Sequence, residues 1–179
     1  MPRLQGFPTA QQATANSCWA AAAREISNWY QSRGESGENP VYDSDQAFAD
    51  AWAEQTGNEE NANINIQQSA AAALEDLGYN NNTDDAAIPS QQEITDTINN
   101  NRPLLAIVAG EAPDPNPNPE VQQGHWVVII GISQDQANID VFDPDDGQVH
   151  TVAYNAATYQ PGSYWQNTSY VDPIAAQQD

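Results

Sequence analysis

The chain has no lysine, a single cysteine, only two histidines and no long apolar run, and each shortage closes off a class of explanation. Four arginines stand against 25 acidic residues, for a formal net charge of −21. A surface of that sign repels nucleic acid and anionic membranes. It keeps a protein hydrated and soluble, and it draws basic peptides toward itself. One cysteine excludes an internal disulfide framework and any multi-thiolate zinc site. With two histidines and no close His/Cys cluster, no metal site and no cofactor are expected. No segment approaches the length needed to span a bilayer. The opening "MPRLQGFPTA" lacks the apolar stretch of a secretory signal. The expectation is a soluble protein, either cytoplasmic or exported by a leaderless route.

What is present is a packable chain of 179 residues with five Trp, seven Tyr and three Phe, enough for one domain over residues 1–179. Residues 1–16 read as extended or irregular. Trp19, Ala22, Ala23, Ile26, Trp29 and Tyr30 then recur at the spacing of one buried helical face, capped by Asn16 or Ser17 and ended by Gly34. A second helix is predicted after Ser44, with Phe48, Ala51 and Trp52 inward and Gly57 as its stop. A third is predicted from Ile66 to Leu77. A fourth opens on "SQQE", where Ser90 and Glu93 form a capping box. Short apolar runs follow: "PLLAIVAG", "GHWVVIIGI", "QANIDVFDP", "GQVHTVAY" and "SYWQNTSYVD". They predict strands separated by turn signals such as "DPDDG". The fold class is therefore α+β, with a helical half over about 17–101 and a mostly antiparallel sheet over about 104–172. Between the first two strands, "GEAPDPNPNPEVQQ" is too rich in proline for helix or central strand. It reads as a stiff connector, either rimming a cleft beside His125 or simply solvated.

Three residues from distant parts of the chain have the makings of a catalytic group. A thiol attacks a carbonyl as thiolate, and a helix N-terminus favours that form. Cys18 lies at the first turn of the first predicted helix. The base is then a histidine. His125 begins an apolar strand that would hold its ring rigidly; His150 lies in "QVHTV", on the polar side of an alternating strand, and is the weaker candidate. An imidazole needs a partner that fixes its tautomer. If the strands of His125 and Asp143 form an antiparallel pair, one residue starts its strand where the other ends, and the two meet at one end of the sheet. Asp140 would face the opposite side. The developing oxyanion needs donors: the Cys18 N–H is one candidate and the Gln12 side chain another, with adjacent Gln11 able to substitute. Trp19 and Trp126, next to Cys18 and His125, are candidates to line a substrate cleft.

These residues resemble the papain-like cysteine peptidases, in which a glutamine precedes a Cys-Trp pair by six residues, as Gln12 precedes Cys18 and Trp19. The second half resembles the small bacterial branches: peptidases that remove double-glycine leaders, and secreted effector peptidases of plant-pathogenic bacteria. There a "Gly-His-x-Val" strand is followed by one ending in "Asp-Pro"; the matching stretches are "GHWVVIIGI" and "VFDP". The resemblance covers roughly residues 10–145 and implies Cys18 as nucleophile, His125 as base, Asp143 as orienting acid and Gln12 as oxyanion donor. "ATANS" departs from the glycine-rich segment usual before Cys-Trp, and the surface is more acidic than usual. The expected partner is a peptide or protein substrate, basic in preference; an inhibitor or immunity protein is a second candidate, and the oligomeric state stays open. Transglutaminase-like proteins and cell-wall amidases of related fold share the Cys, His, Asp order, and a binding module that has lost its chemistry is a further alternative.

Overall fold

The computed structural model describes residues 2–84, 88–110 and 124–174. Its helices are α1 (Cys18–Ser32), α2 (Asp45–Thr56), α3 (Ala70–Asp76) and α4 (Gln91–Asn99), with a 3-10 turn at Glu59–Ala62. Its strands are β1 (Asn80–Asp84), β2 (Leu104–Ala109), β3 (His125–Ile132), β4 (Asn138–Asp143), β5 (Gln148–Ala153), β6 (Thr158–Gln160) and β7 (Ser163–Asp172). The architecture is α+β.

Helix α1 is more deeply set than a one-face pattern predicts. Ala20 and Ala21 are as fully enclosed as Ala22 and Ile26, and Arg24 and Glu25 are only 5% and 3% exposed. The run of alanines at 20–23 is the cause. Small side chains let α2, α3 and β3 all approach the same helix, and a helix surrounded in this way is buried around its whole circumference. Helix α2 follows its pattern: the Ser44 hydroxyl accepts from the Ala47 N–H, and Phe48 and Trp52 face the core. Ala49, rather than the half-buried Ala51, completes that face.

The third helix is shorter than its pattern. It begins at Ala70, with the Ser69 hydroxyl accepting from Ala72 N–H, and not near Ile66. Two of the residues lost from it, Ile66 and Gln68, and the two before them carry carbonyls that are already engaged. Ile64 O accepts from Thr14 Oγ1 at 3.0 Å, Asn65 O from Asn16 Nδ2 at 2.7 Å, Ile66 O from Trp19 Nε1 at 3.0 Å and Gln68 O from Trp126 Nε1 at 3.2 Å. A carbonyl spent on a side chain is not available to a helical ladder, so residues 64–68 run as an irregular strap. Helix α4 begins as expected on the Ser90–Glu93 capping box.

The sheet order is β1-β7-β2-β3-β4-β5, with β6 on β7 and every pair antiparallel. Strand β1 falls inside the segment expected to be helical. Its sequence "NNNTD" has no apolar residue, and its place at the sheet edge comes from backbone pairing with β7, from Asn80↔Asp172 to Asp84↔Thr168. The central runs β2 and β3 are buried on both faces: Leu104, Leu105, Val127 and Val128 are all fully enclosed, and both α1 and α4 pack on β3. The N-terminal segment adds two more backbone links to β3, with Leu4 N–H donating to Ile130 O at 2.8 Å and Ile132 N–H donating to Pro2 O at 2.9 Å.

Candidate active site

Cys18 is the first residue of α1 and is 2% exposed. Its place on the helix puts the sulfur at the positive end of the helix dipole. The loop before it is tied down on two sides: Thr14 Oγ1 and Asn16 Nδ2 reach the strap at residues 64–65, and Ser17 Oγ donates to Asp45 Oδ2 at 2.8 Å.

The sheet brings His125 and Asp143 to its same end, as the hairpin geometry requires. β3 and β4 register at Val128↔Phe142, so His125 and Asp143 lie on the face opposite to Val128 and Phe142, in the diagonal relation in which side chains on neighbouring strands still meet. His125 Nε2 and Asp143 Oδ1 are 2.5 Å apart. The Cys18 side chain lies near enough to the His125 ring to be among the influences that raise it. With Nε2 taken by Asp143, Nδ1 is the ring nitrogen left for the sulfur.

The electrostatics follow from these contacts. Burial alone would push the His125 ring below its ordinary 6.5. Asp143, which accepts the ring's N–H and carries a negative charge, and the nearby Cys18 side chain outweigh it and push the ring up to about 10. Burial likewise works to raise the Asp143 carboxyl, but the hydrogen bond and charge of His125 and the Asp145 N–H at 3.0 Å hold it below the usual range. Tyr159 adds a hydroxyl 3.5 Å from Asp143 Oδ2, and burial, then the charge of Asp143, push its phenol well above 10 so that it stays a neutral donor.

Gly124 makes room for the start of β3. A Cβ there would lie 2.4 Å from Ile107 Cγ2 and 2.9 Å from Val108 O, so any other residue would shift the backbone that aims His125. A cleft of ≈ 380 Å³ opens beside the pair, lined by Val108, Gly124, His125, Asp143, Tyr159 and Gln160 among others. The proline-rich connector lies outside the described residues from 111 to 123.

Gln12 reaches the same region through the turn that follows β4. Its N–H donates to Pro144 O at 2.8 Å, and its Nε2 lies 3.4 Å from Asp145 Oδ1, while its Oε1 is buried without a hydrogen-bond partner. Gln11 is exposed and gives its Nε2 to Asp145 O at 2.8 Å. The turn closes on Gly147 at φ +69°, where a Cβ would meet Gln11 N at 2.7 Å. Glycine is therefore needed there both for its backbone conformation and for the close approach of the glutamine segment.

Other candidates lie apart from this group. His150 pairs with Asp146 Oδ2 at 2.9 Å on β5, an edge strand. Asp140 is fully enclosed, facing Arg3 and accepting from Thr151 Oγ1 at 2.6 Å. The two tryptophans do not line a surface. Trp19 is fully enclosed and edge-on to Trp52 at 5.4 Å, and Trp126 is 4% exposed. Both act from behind, through the indole N–H bonds that hold the strap. Three features escaped the sequence reading: the strap at 64–68, Tyr159 and Asp45. Among them only Asp45 had a local signal, an acidic residue directly after a serine cap, and that signal says nothing of its burial. Among the described residues there is no group of His, Cys, Asp and Glu that could hold a metal ion, and no helix is long and apolar enough to cross a membrane.

A search of curated proteins finds no match. The family model described as papain-like cysteine protease AvrRpt2 matches residues 3–161, a span that takes in the helix of Cys18, the strands of His125 and Asp143 and all four helices. The chain belongs to this family of papain-like cysteine proteases and is, by that membership, a hydrolase that acts on peptide or protein substrates.

Proposed function

We propose that the protein hydrolyses a peptide or isopeptide bond with Cys18 as nucleophile, His125 as general base and acid, Asp143 as the group that orients the ring, and Gln12 with the Cys18 N–H as oxyanion donors. The observation that carries this reading is one imidazole bonded at Nε2 to a carboxylate 2.5 Å away, with the only thiol of the chain near enough to act on the same ring. The sulfur gives its proton to His125 and attacks the carbonyl carbon, forming a C–S bond and a negative oxygen. The imidazolium returns the proton to the leaving amine as the C–N bond breaks, which leaves a thioester. Water, deprotonated by the same ring, then attacks the thioester and releases the acid and the thiol. Gln12 is well suited to the oxyanion: its amide donates to Asp145 Oδ1 at 3.4 Å, the outer limit of a hydrogen bond, so it is lightly committed and free to turn toward substrate.

The charge of −21 supports a preference for Lys or Arg near the scissile bond, since such substrates are concentrated by the surrounding field. The raised His125 supports a second feature. A ring held up to about 10 keeps its proton for the leaving amine through neutral pH, and hydrolysis declines as pH rises through about 10. The same shift bears on stability. The contact stabilises the folded chain in full below the ring's ordinary 6.5, and that contribution is lost as pH climbs from there through about 10.

The test is labelling with an electrophilic peptide probe followed by profiling on a peptide library. Covalent labelling at Cys18, abolished in Cys18→Ala and slowed in His125→Ala, together with turnover biased toward basic peptides at low salt, is the expected result. Unlabelled Cys18 in the folded protein would remove the nucleophile from the scheme. Equal turnover of acidic and basic peptides would remove only the substrate preference.

A further inference from the structure

The core beside the nucleophile contains an expensive charge. Asp45, the first residue of α2, is fully enclosed. A carboxylate taken out of water costs several kcal/mol unless its partners are excellent. Its ionic partner is Arg24, with Nη1 3.0 Å from Oδ1, and that arginine is shared with Glu25, whose Oε1 lies 2.7 Å from Nη2. One guanidinium thus serves two buried carboxyls.

The other carboxylate oxygen faces the catalytic loop. Asp45 Oδ2 accepts the Ala13 N–H at 2.6 Å and the Ser17 hydroxyl at 2.8 Å. The Ser17 hydroxyl also lies 3.1 Å from Thr14 O, but it has one hydrogen to give, and the shorter bond to a charged acceptor is the stronger. Its lone pair takes the Thr14 N–H at 3.0 Å. The bond it donates to Asp45 and the one it accepts from Thr14 together fix the direction of the hydroxyl, and this bears on an anomaly. Ser17 occupies the N-cap of α1, the position where serine ordinarily bonds the N–H of the second or third helical residue, yet it makes no such bond. The first-turn N–H groups, including that of Cys18, stay unpaired by their own cap, at the point where a negative oxygen is to be stabilised.

We propose that Asp45 is a positioning residue: by engaging the Ser17 hydroxyl and the Ala13 N–H it fixes the segment from Gln12 to Cys18 and keeps the helix's opening N–H groups free for the oxyanion. The proposal rests on Cys18 as nucleophile and goes beyond it by assigning a residue that touches neither substrate nor thiol. It separates two reactions of the same sulfur. Amide hydrolysis needs the oxyanion donors in place; alkylation by iodoacetamide generates no oxyanion on a carbonyl and does not.

The experiment measures both in the full chain for wild type, Asp45→Asn, Ser17→Ala and Cys18→Ala, with thermal melts to establish folding and a fluorogenic peptide amide taken from the library profile. Asp45→Asn is expected to lower kcat by about 10–100-fold, with KM and the alkylation rate within about threefold of wild type. Ser17→Ala, which leaves the Arg24–Asp45 pair in place, is expected to lower kcat by about tenfold with alkylation again preserved. Wild-type kcat in folded Asp45→Asn, or equal losses of kcat and alkylation, would overturn the proposal. If Asp45→Asn does not fold, Ser17→Ala decides: a selective loss of kcat supports the role and an unchanged kcat refutes it. Hydrolysis that survives Cys18→Ala would instead sink the nucleophile assignment, a result distinct from either.

Discussion

The two sides of the site are built by different means. On the sheet side, His125 and Asp143 sit at the ends of strands whose neighbours, β2, β4 and β5, hold them through backbone ladders. The apolar side chains that those strands bury together set their register, and the ladders then hold it with many bonds. On the helix side, the backbone before Cys18 and the strap facing it are held by side chains reaching across the chain: Asp45 to Ala13, Thr14 to Ile64, Asn16 to Asn65 and Trp19 to Ile66. A ladder shares its load over many bonds, whereas a side-chain tie fails when one residue changes. The base is thereby placed on the rigid part of the molecule, and the groups that receive the substrate's oxygen on the part that single substitutions can loosen.

The largest break in that comparison comes from the sheet side. Asp143→Asn keeps an acceptor for the Asp145 N–H and leaves the β4 backbone untouched, so the fold is retained. It replaces a carboxylate at 2.5 Å from the imidazole by an amide that cannot support the imidazolium. Steady-state kinetics are expected to show a loss in kcat of about 10⁴-fold, with the chain still folded and its melting temperature at neutral pH lowered by the loss of the His125 contact. A loss below tenfold would mean that Asp143 does not orient the ring.

On the helix side the expected loss is smaller and depends on which glutamine changes. Gln12→Ala removes a side-chain oxyanion donor, worth about 10²-fold in kcat. Gln11→Ala removes an exposed bond to Asp145 O and is expected to stay within about threefold, as surface substitutions do. The pair of variants sharpens the assignment, because the two residues are chemically identical and differ only in where the turn at Pro144–Gly147 holds them. A greater loss in Gln11→Ala would exchange their roles.

The same division governs how much could be read in the chain alone. β2 and β3 are nearly continuous apolar runs, β4 is a short strand with an apolar centre, and the hairpin between β3 and β4 puts His125 and Asp143 together by arithmetic. Helices α2 and α4 announce themselves through Ser44 and the Ser90–Glu93 box, whose bonds span three residues. Cys18 was legible because it opens a helix. The parts that were not legible depend on contacts far apart in sequence and without period. Residues 66–68 of the strap read as helix because Ala70, Ala73, Leu74 and Leu77 extend backward in phase to Ile66, and nothing local reveals that Trp19, 47 positions away, claims the Ile66 carbonyl. Asp45 looks like any acidic residue in a first helical turn, and its bond to Ser17 crosses 28 positions. Strand β1 has no apolar residue at all and takes its structure from β7. Trp19 and Trp126 were placed in the cleft by adjacency to Cys18 and His125, but neighbours along a helix or strand point in different directions.

The smallest expected effect belongs to the second histidine. His150 stands on edge strand β5, and its Cα is paired with Val141, in the interior of β4. Its ring is bound to Asp146 Oδ2 at 2.9 Å with both side chains well exposed, at 37% and 48%. An exposed pair of this kind contributes little to stability. Its reach into the site is limited to Asp143. Burial raises that carboxyl, and the hydrogen bond and charge of His125 and the Asp145 N–H lower it. The charge of His150 is the weakest of the lowering influences named for it. His150→Ala is therefore expected to change kcat/KM at neutral pH by less than about twofold, the range of a surface substitution remote from the reacting atoms. Measured beside His125→Ala, which should abolish turnover, it separates the two histidines of the chain. A tenfold or greater loss in His150→Ala would show that the edge hairpin takes part in the chemistry, and the rigid side of the site would then extend one strand further than the contact between His125 and Asp143 implies.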